Sequence, residues 1–330
     1  MVSKSTRRTI RALAPASLKT LWRRLRRVQV DVDRPSRPWA APGSFAAMVG
    51  DRKRWLFETL PPDVASYHYD IFTKVSQKRL ARRLGLDVAR DYVERAPLAD
   101  ALATVERLGL ERFVVKPDSA HNAIGFRRVA RVGDRYHDLG SGKRGSLRWL
   151  ERSLRREVAA LGRADEWVVE ELLMRPDGSD MPIEDYKFYC FGGVTEFILQ
   201  RWPAPKGVGN QRNWYTRDWN PVVVSVLGPG QGVPRAPLAG AQLLDAAERV
   251  ASRLCYPFIR MDLYDTNRGV VFGEFTPGPG KIYNFTDEWG ERLRLRWFEA
   301  EATLLERIRS GELVPLVAEA PEAPIGSLGP

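Results

Sequence analysis

The sequence predicts an α+β fold with mainly antiparallel strand pairing, an α/β arrangement being the neighbouring alternative. Three observations carry this. Helical and strand-like patterns are interspersed along the chain, several strand patterns follow one another closely across turn-forming residues, and no apolar run approaches the roughly 18–20 residues that span a bilayer. Apolar residues recur at three- and four-residue spacing over 75–84, 98–108, 146–161, 238–254 and about 287–309, which predicts amphipathic helices. Pro97 and Pro237 stand just ahead of two of these helices, where proline is tolerated. Strand patterns fall at Phe113–Val115, Trp167–Val169, Lys187–Phe191, Glu196–Leu199, Val222–Val226, Phe258–Tyr264 and Val270–Phe275. Gly192-Gly193 between two of them reads as a hairpin turn. No internal repeat is visible.

Composition narrows the class. Hydrophobic residues make up 44% and charged residues 28% of 330 residues, which fits a globular protein and excludes a disordered or fibrous one. The net charge of +11 is uneven, because residues 1–30 hold nine Lys or Arg and no acid, leaving +2 for the rest. The basicity therefore reads as an N-terminal arm and not as a binding face of the core. In that arm Leu18, Leu21, Trp22 and Leu25 form one helical face among arginines, which suits weak contact with an anionic membrane surface. A solvated extension is the plainer reading. Nucleic acid is not expected as a partner, since no aromatic-rich basic element follows. Prolines 35, 38 and 42 mark a linker, and the Pro-containing stretch from Gly311 reads as an unstructured tail. The two cysteines, Cys190 and Cys255, lie in apolar segments and predict buried free thiols. With no signal-peptide pattern, they point to a reducing cytoplasm.

The stretch 258–276 carries most of the chemistry. Two strands flank the turn-forming residues Asp265-Thr266-Asn267-Arg268-Gly269, and side chains alternate with period two. Ile259, Met261, Leu263, Val271, Gly273 and Phe275 then share an apolar face, while Arg260, Asp262, Glu274 and Thr276 share a polar one. A hairpin centred on residue 268 sets Asp262 opposite Glu274. Facing carboxylates repel unless a cation lies between them. Arg260 would serve in part, as on an ordinary solvated hairpin. A magnesium ion, which takes one or two carboxylates with phosphate and water, would serve better.

Further segments add cations. Phe113-Val114-Val115-Lys116 puts a lysine at a strand end, Trp167–Val169 runs into Glu170 and Glu171, and Asp185–Phe191 sets Lys187 in an aromatic strand. A lone strand-end lysine usually snorkels to water. Several cations beside a carboxylate pair are the equipment of phosphoryl chemistry.

These segments, in this order, resemble the ATP-grasp superfamily, and in particular its TupA-like branch, which is associated with teichuronopeptide and other envelope-polysaccharide synthesis. The resemblance spans about residues 65–285. It rests on Phe-Thr-Lys-Val at 72–75 with a helix ending Leu84-Gly85-Leu86, on Val-Val-Lys-Pro, on Val-Glu-Glu-Leu-Leu, on Asp-Tyr-Lys-Phe-Tyr-Cys-Phe-Gly-Gly, and on Arg-Met-Asp-Leu-Tyr with Gly-Glu-Phe-Thr-Pro-Gly.

It implies two α+β subdomains clasping ATP. The resulting division is a basic arm and linker (1–42), an N-terminal segment (43–73), a central lid-side subdomain (74–173), a C-terminal catalytic subdomain (174–310) and a tail (311–330). It implies that Lys74 and Lys116 contact nucleotide phosphates. The segment Glu170–Leu173, with Glu171, would hold adenine by its backbone and place an acid near the ribose. Lys187 and Arg201 would face the phosphoryl group or a substrate carboxylate, Arg260 the transferred phosphate, and Asp262, Glu274 and Thr276 magnesium. Two departures from the family pattern are visible. Thr276 stands where relatives place Asn, and the loop 118–125 has few of the glycines usual in the phosphate-covering lid. His121 in that loop is either a phosphate contact or an idle histidine.

The implied activity is ATP- and Mg²⁺-dependent joining of a carboxylate and an amine through an acyl phosphate. Its substrates would be an amino acid and a uronic acid or peptide, and the polar stretch Trp202–Asn220, with Arg212 and Arg217, would be an acceptor loop. An ATP-grasp kinase and a silent nucleotide-binding scaffold are the alternatives.

Overall fold

The computed structural model describes residues 45, 47–49, 73–118, 124–159, 164–179, 182–203, 210–225, 236–279 and 285–312. The arm, the proline linker, most of 43–73, His121 with its loop neighbours, Val226 and the tail from 313 lie outside them.

Two six-stranded sheets organise the chain. The first has the order β2-β7-β3-β4-β5-β6, where β2 is Asp91–Ala96, β3 Arg112–Pro117, β4 Arg127–Val132, β5 Arg135–Asp138, β6 Arg144–Gly145 and β7 Trp167–Glu170. Its neighbours are all antiparallel. Helices α2 (Leu98–Arg107) and α3 (Leu147–Val158) cover one face, burying Leu98, Leu102, Val105, Leu150 and Leu154 against Phe113, Val115, Trp167 and Val169. By alternation Lys116 and Glu170 point to the other face.

The second sheet runs β1-β12-β11-β8-β9-β10, comprising β1 Asp87–Val88, β8 Asp185–Phe191, β9 Val194–Pro203, β10 Asn210–Thr216, β11 Phe258–Thr266 and β12 Gly269–Thr276. Only β1 is parallel to its neighbour. Both faces are packed. Tyr186, Phe188 and Cys190 meet α1 (Lys74–Arg83) and α4 (Gly240–Ala251) on one side; Tyr189, Phe191 and Trp214 meet α5 (Asp287–Arg309) on the other. Cys190 and Cys255 are buried free thiols. None of the helices among the described residues is long and apolar enough to cross a membrane.

The expected helices form, each within a few residues of its pattern, because each has a core-facing stripe. Four expectations are corrected. Val222–Val226 makes no strand among its described residues, only isolated bridges at Pro221 and Ser225, since Pro221 has no N–H to continue a ladder. The stretch 202–220 is not one loop: β9 extends to Pro203 and β10 starts at Asn210. The 74–173 segment does not stay with one sheet, because Leu80, Ala81, Leu84, Leu86 and Val88 of α1 and β1 join the core of the other.

The fourth correction concerns how Asp262 comes to face Glu274. The turn is only Asn267-Arg268, so simple counting would misalign them, but the register shifts after Asp262 and Gly273 is the extra residue. Beyond that bulge the parity of β12 reverses. Phe275, Phe272 and Val270 reach the core, where alternation had placed Val271 and Gly273. A Cβ on Gly273 would lie 2.7 Å from the Tyr264 ring and 3.0 Å from the Asp262 carbonyl, so the bulge needs glycine.

Candidate active site

The polar face of β11 and β12 is built around one guanidinium. Arg260 donates from Nε to Asp262 Oδ1 at 2.7 Å, and from Nη2 to Asp262 Oδ2 at 3.0 Å and Thr276 Oγ1 at 2.9 Å, with Glu274 Oε2 3.9 Å from that same nitrogen. On the other flank β8 sets Lys187 directly across from Asp262, and its ammonium bonds that carboxylate while lying 2.5 Å from Asp185 Oδ2. Asp262 is 3% exposed, whereas the Glu274 side chain is 47% exposed at the mouth of the cleft.

The two carboxylates differ electrostatically. Burial opposes ionisation of Asp262, but Arg260 and Lys187 together outweigh it and hold the carboxyl below the usual range. Glu274 is raised, first by burial and then by the charge of Asp262, with Arg260, Lys187 and Lys74 only partly compensating. Asp185 is also raised, chiefly by burial and further by Asp262, although Lys187 opposes this, and its Oδ1 is buried without a hydrogen-bond partner.

The opposite bank comes from α1 and the first sheet. Asp118 accepts from the backbone N–H of Lys74 at 2.9 Å and of Val75 at 3.2 Å, tying the start of α1 to the end of β3. Gln77 Oε1 accepts from the Phe275 N–H at 2.9 Å, which ties the same helix to β12. One helix thus positions both banks. Lys74 has its pKa lowered by burial and then by the neighbouring charge of Lys116, while Glu274, Asp118 and Glu170 act the other way. Two crowded ammonium groups facing a strained carboxylate pair make a site that gains from both an anion and a metal cation.

Lys116 is not the unpaired strand-end charge that its sequence position suggests. It is bonded to Glu170, which also accepts from Lys78 of α1 at 2.8 Å, and Lys78 in turn bonds Asp91. Burial disfavours the Glu170 carboxylate, yet Lys116 and then Lys78 hold its pKa below the usual value. Glu171 accepts from the Arg90 N–H at 3.0 Å and pairs with Arg268 at 3.1 Å. Both acids are therefore committed to protein partners. Among the described residues the backbone of Leu173 bonds no other backbone group.

Arg201 on β9 faces Asp185 on one side and Arg212 on the other, on the same side of the sheet as Lys187. It lies two strands from Asp262 and outside the Arg260 cluster. Sequence reasoning missed Asp185, Lys78, Asp118 and Gln77. Asp185 had a signal, being two residues before Lys187 and so on its face. The other three become visible only when α1 is docked.

Glu170 gives a pH prediction. Its depressed pKa contributes stability that is present above the unfolded carboxylate value and is lost as pH falls through the folded one. Glu170→Gln is therefore expected to lose about 3 kcal/mol at pH 7, by leaving Lys116 and Lys78 short of a counter-charge. The difference from wild type should shrink in strong acid. Urea denaturation at neutral and acidic pH measures both.

The site's oxygen-only donors, two carboxylates and a hydroxyl, suit a hard cation such as Mg²⁺. Among the described residues no three acids, histidines or cysteines converge, so a metal here would complete its shell with ligand oxygens and water. The model of the TupA-like ATP-grasp family matches residues 85–294. Among solved structures the chain is similar to D-alanine–D-alanine ligase from Bacillus anthracis, at 14% identity over 73% of this chain and 69% of that one, with a TM-score of 0.43. It is similar to the VanG D-Ala:D-Ser ligase from Enterococcus faecalis at 13% identity, over 71% of this chain and 61% of that one, with a TM-score of 0.44. For D-cycloserine synthetase DcsG the values are 18%, 81%, 82% and 0.44. No curated protein matches the chain. These structural likenesses are distant, and the family model carries the assignment.

Proposed function

We propose, on the premise that this chain belongs to the TupA-like ATP-grasp family and is an ATP- and Mg²⁺-dependent ligase forming carbon–nitrogen bonds, that the cleft between its two sheets is where a carboxylate is activated and joined to an amine. The observation that carries this reading is the Asp262–Glu274 pair, flanked by Lys187 and Arg260 and faced by Lys74 and Lys116. In this reading the first sheet with α2 and α3 supplies the lid-side half and the second sheet with α4 and α5 the catalytic half, with α1 joining them.

Lys74 and Lys116 bind ATP phosphate oxygens, and the backbone at Leu173 takes the adenine edge. Asp262 and Glu274, with the Thr276 hydroxyl, would hold magnesium, which when bound would neutralise phosphate charge. A substrate carboxylate oxygen attacks the γ-phosphorus and ADP leaves. Arg260 and Lys187 face the moving phosphoryl group and stabilise its charge. The amine then attacks the acyl carbon, the bond to the phosphate oxygen breaks, and inorganic phosphate leaves with an amide as product. Arg201 orients the substrate carboxylate from two strands away. The substrates are an amino acid and a uronic acid or peptide of an envelope polymer, and the work is done at the cytoplasmic side.

Incubation with Mg-ATP and pooled carboxylic acids and amines, followed by mass spectrometry, tests this. An amide with stoichiometric ADP and phosphate supports it. A stable phosphorylated product without amine would make the protein a kinase, and no turnover with any pair would make it a scaffold. Lys116→Met gives a narrower prediction. Losing a charge-assisted bond to phosphate is expected to lower ATP affinity or turnover roughly ten- to hundred-fold. Lys4→Met in the arm should leave both unchanged. Mg-ATP titration and ADP release of the two variants check it.

A further inference from the structure

The near-neutral charge of the body conceals a local excess. Between Lys143 and Arg156 there are six Lys or Arg and one acid. Arg148, Arg152 and Arg156 lie at successive four-residue steps on α3, all exposed, on the side away from buried Leu150 and Leu154. Among the described residues none of the three has an ion-pair partner; Arg152 only donates to the Arg148 carbonyl at 3.3 Å. The acids nearby are taken elsewhere: Glu151 and Asp165 by Arg155, and Glu157 by Arg127.

This arrangement works against the helix. Like charges at i,i+4 destabilise it, and a cation in a first turn that has no acid opposes the macrodipole. Arg156 in the last turn complements the macrodipole, but no ion pair among the described residues accounts for Arg148 and Arg152. It does not extend the active site, because α3 packs on the face of its sheet opposite Lys116 and Glu170. The stripe spans about 12 Å on a convex surface. No large hydrophobic side chain is exposed between 143 and 156 to stack on bases, and α3 has no Asn or Gln to read base edges.

We propose that the α3 arginine stripe docks the protein on an anionic lipid bilayer. The test is cosedimentation of the full chain with phosphatidylcholine vesicles, with and without phosphatidylglycerol. Wild type should bind only the anionic vesicles and release in high salt. The Arg148→Gln, Arg152→Gln, Arg156→Gln triple variant should bind about fivefold more weakly per arginine, roughly a hundredfold in all, while melting no lower than wild type. The corresponding lysine triple should bind like wild type, since lipid headgroups read charge. Should the glutamine triple fail to fold, Arg152→Glu alone should show the same direction. Unchanged partitioning of the glutamine variant would overturn the proposal. So would absence of wild-type vesicle binding, including the case where duplex DNA binds through the same arginines.

Discussion

Glu274→Gln is expected to remove ATP turnover while leaving the fold at least as stable as wild type. Glu274 stands directly across from Asp262, and its pKa is raised by burial and by that neighbour. In the absence of metal its charge is therefore a liability, and an amide of the same shape relieves the repulsion. In the proposed reaction the same charge is a magnesium ligand once Mg-ATP is bound. Loss of a ligand oxygen should lower kcat/KM by about a hundredfold or more, given that second-shell changes alone cost 10- to 100-fold. The thermal midpoint without magnesium should stay level or rise, and the stabilisation that Mg-ATP gives wild type should vanish. A variant within a few-fold of wild-type turnover would falsify the metal role.

Asp262→Asn is expected to fail on both counts. Asp262 is buried and accepts from Arg260 through both oxygens and from Lys187. Neutralising it leaves two buried cations without their shared partner, which costs about 3–5 kcal/mol. Under the proposed mechanism turnover should fall roughly a thousandfold, because Arg260 and Lys187 would lose their placement along with the metal. Urea denaturation and ADP release of the two variants, side by side, separate the roles. If Glu274 destabilises on substitution as Asp262 does, both acids are structural partners of Arg260 and the site is an ion-pair network without a metal.

Legibility from sequence followed burial. The helices were readable because each presents a regular apolar stripe, as α3 does with Leu147, Leu150, Leu154 and Val158. Strands β4 to β6 were not, because their open face carries Arg128, His137 and Arg144, and charge there masks the alternation. The pairing of Asp262 with Glu274 was readable, but through a longer turn than the one that exists. A two-residue turn and the Gly273 bulge cancel one another, which no count of positions reveals. Lys78 looks like a solvent-facing helix residue until α1 is docked over Glu170. Net charge was misleading in a different way: summed over the body, the α3 stripe is cancelled by acids that lie elsewhere.

In the proposed reaction a carboxylate takes the γ-phosphoryl group before an amine displaces it. The most direct measurement uses an ¹⁸O-labelled carboxylate with the amine partner found by product screening, followed by mass analysis of the inorganic phosphate. Passage through an acyl phosphate predicts that one labelled oxygen leaves in each phosphate released and that the amide keeps the other. Unlabelled phosphate alongside the product, or release of AMP and pyrophosphate, would contradict it.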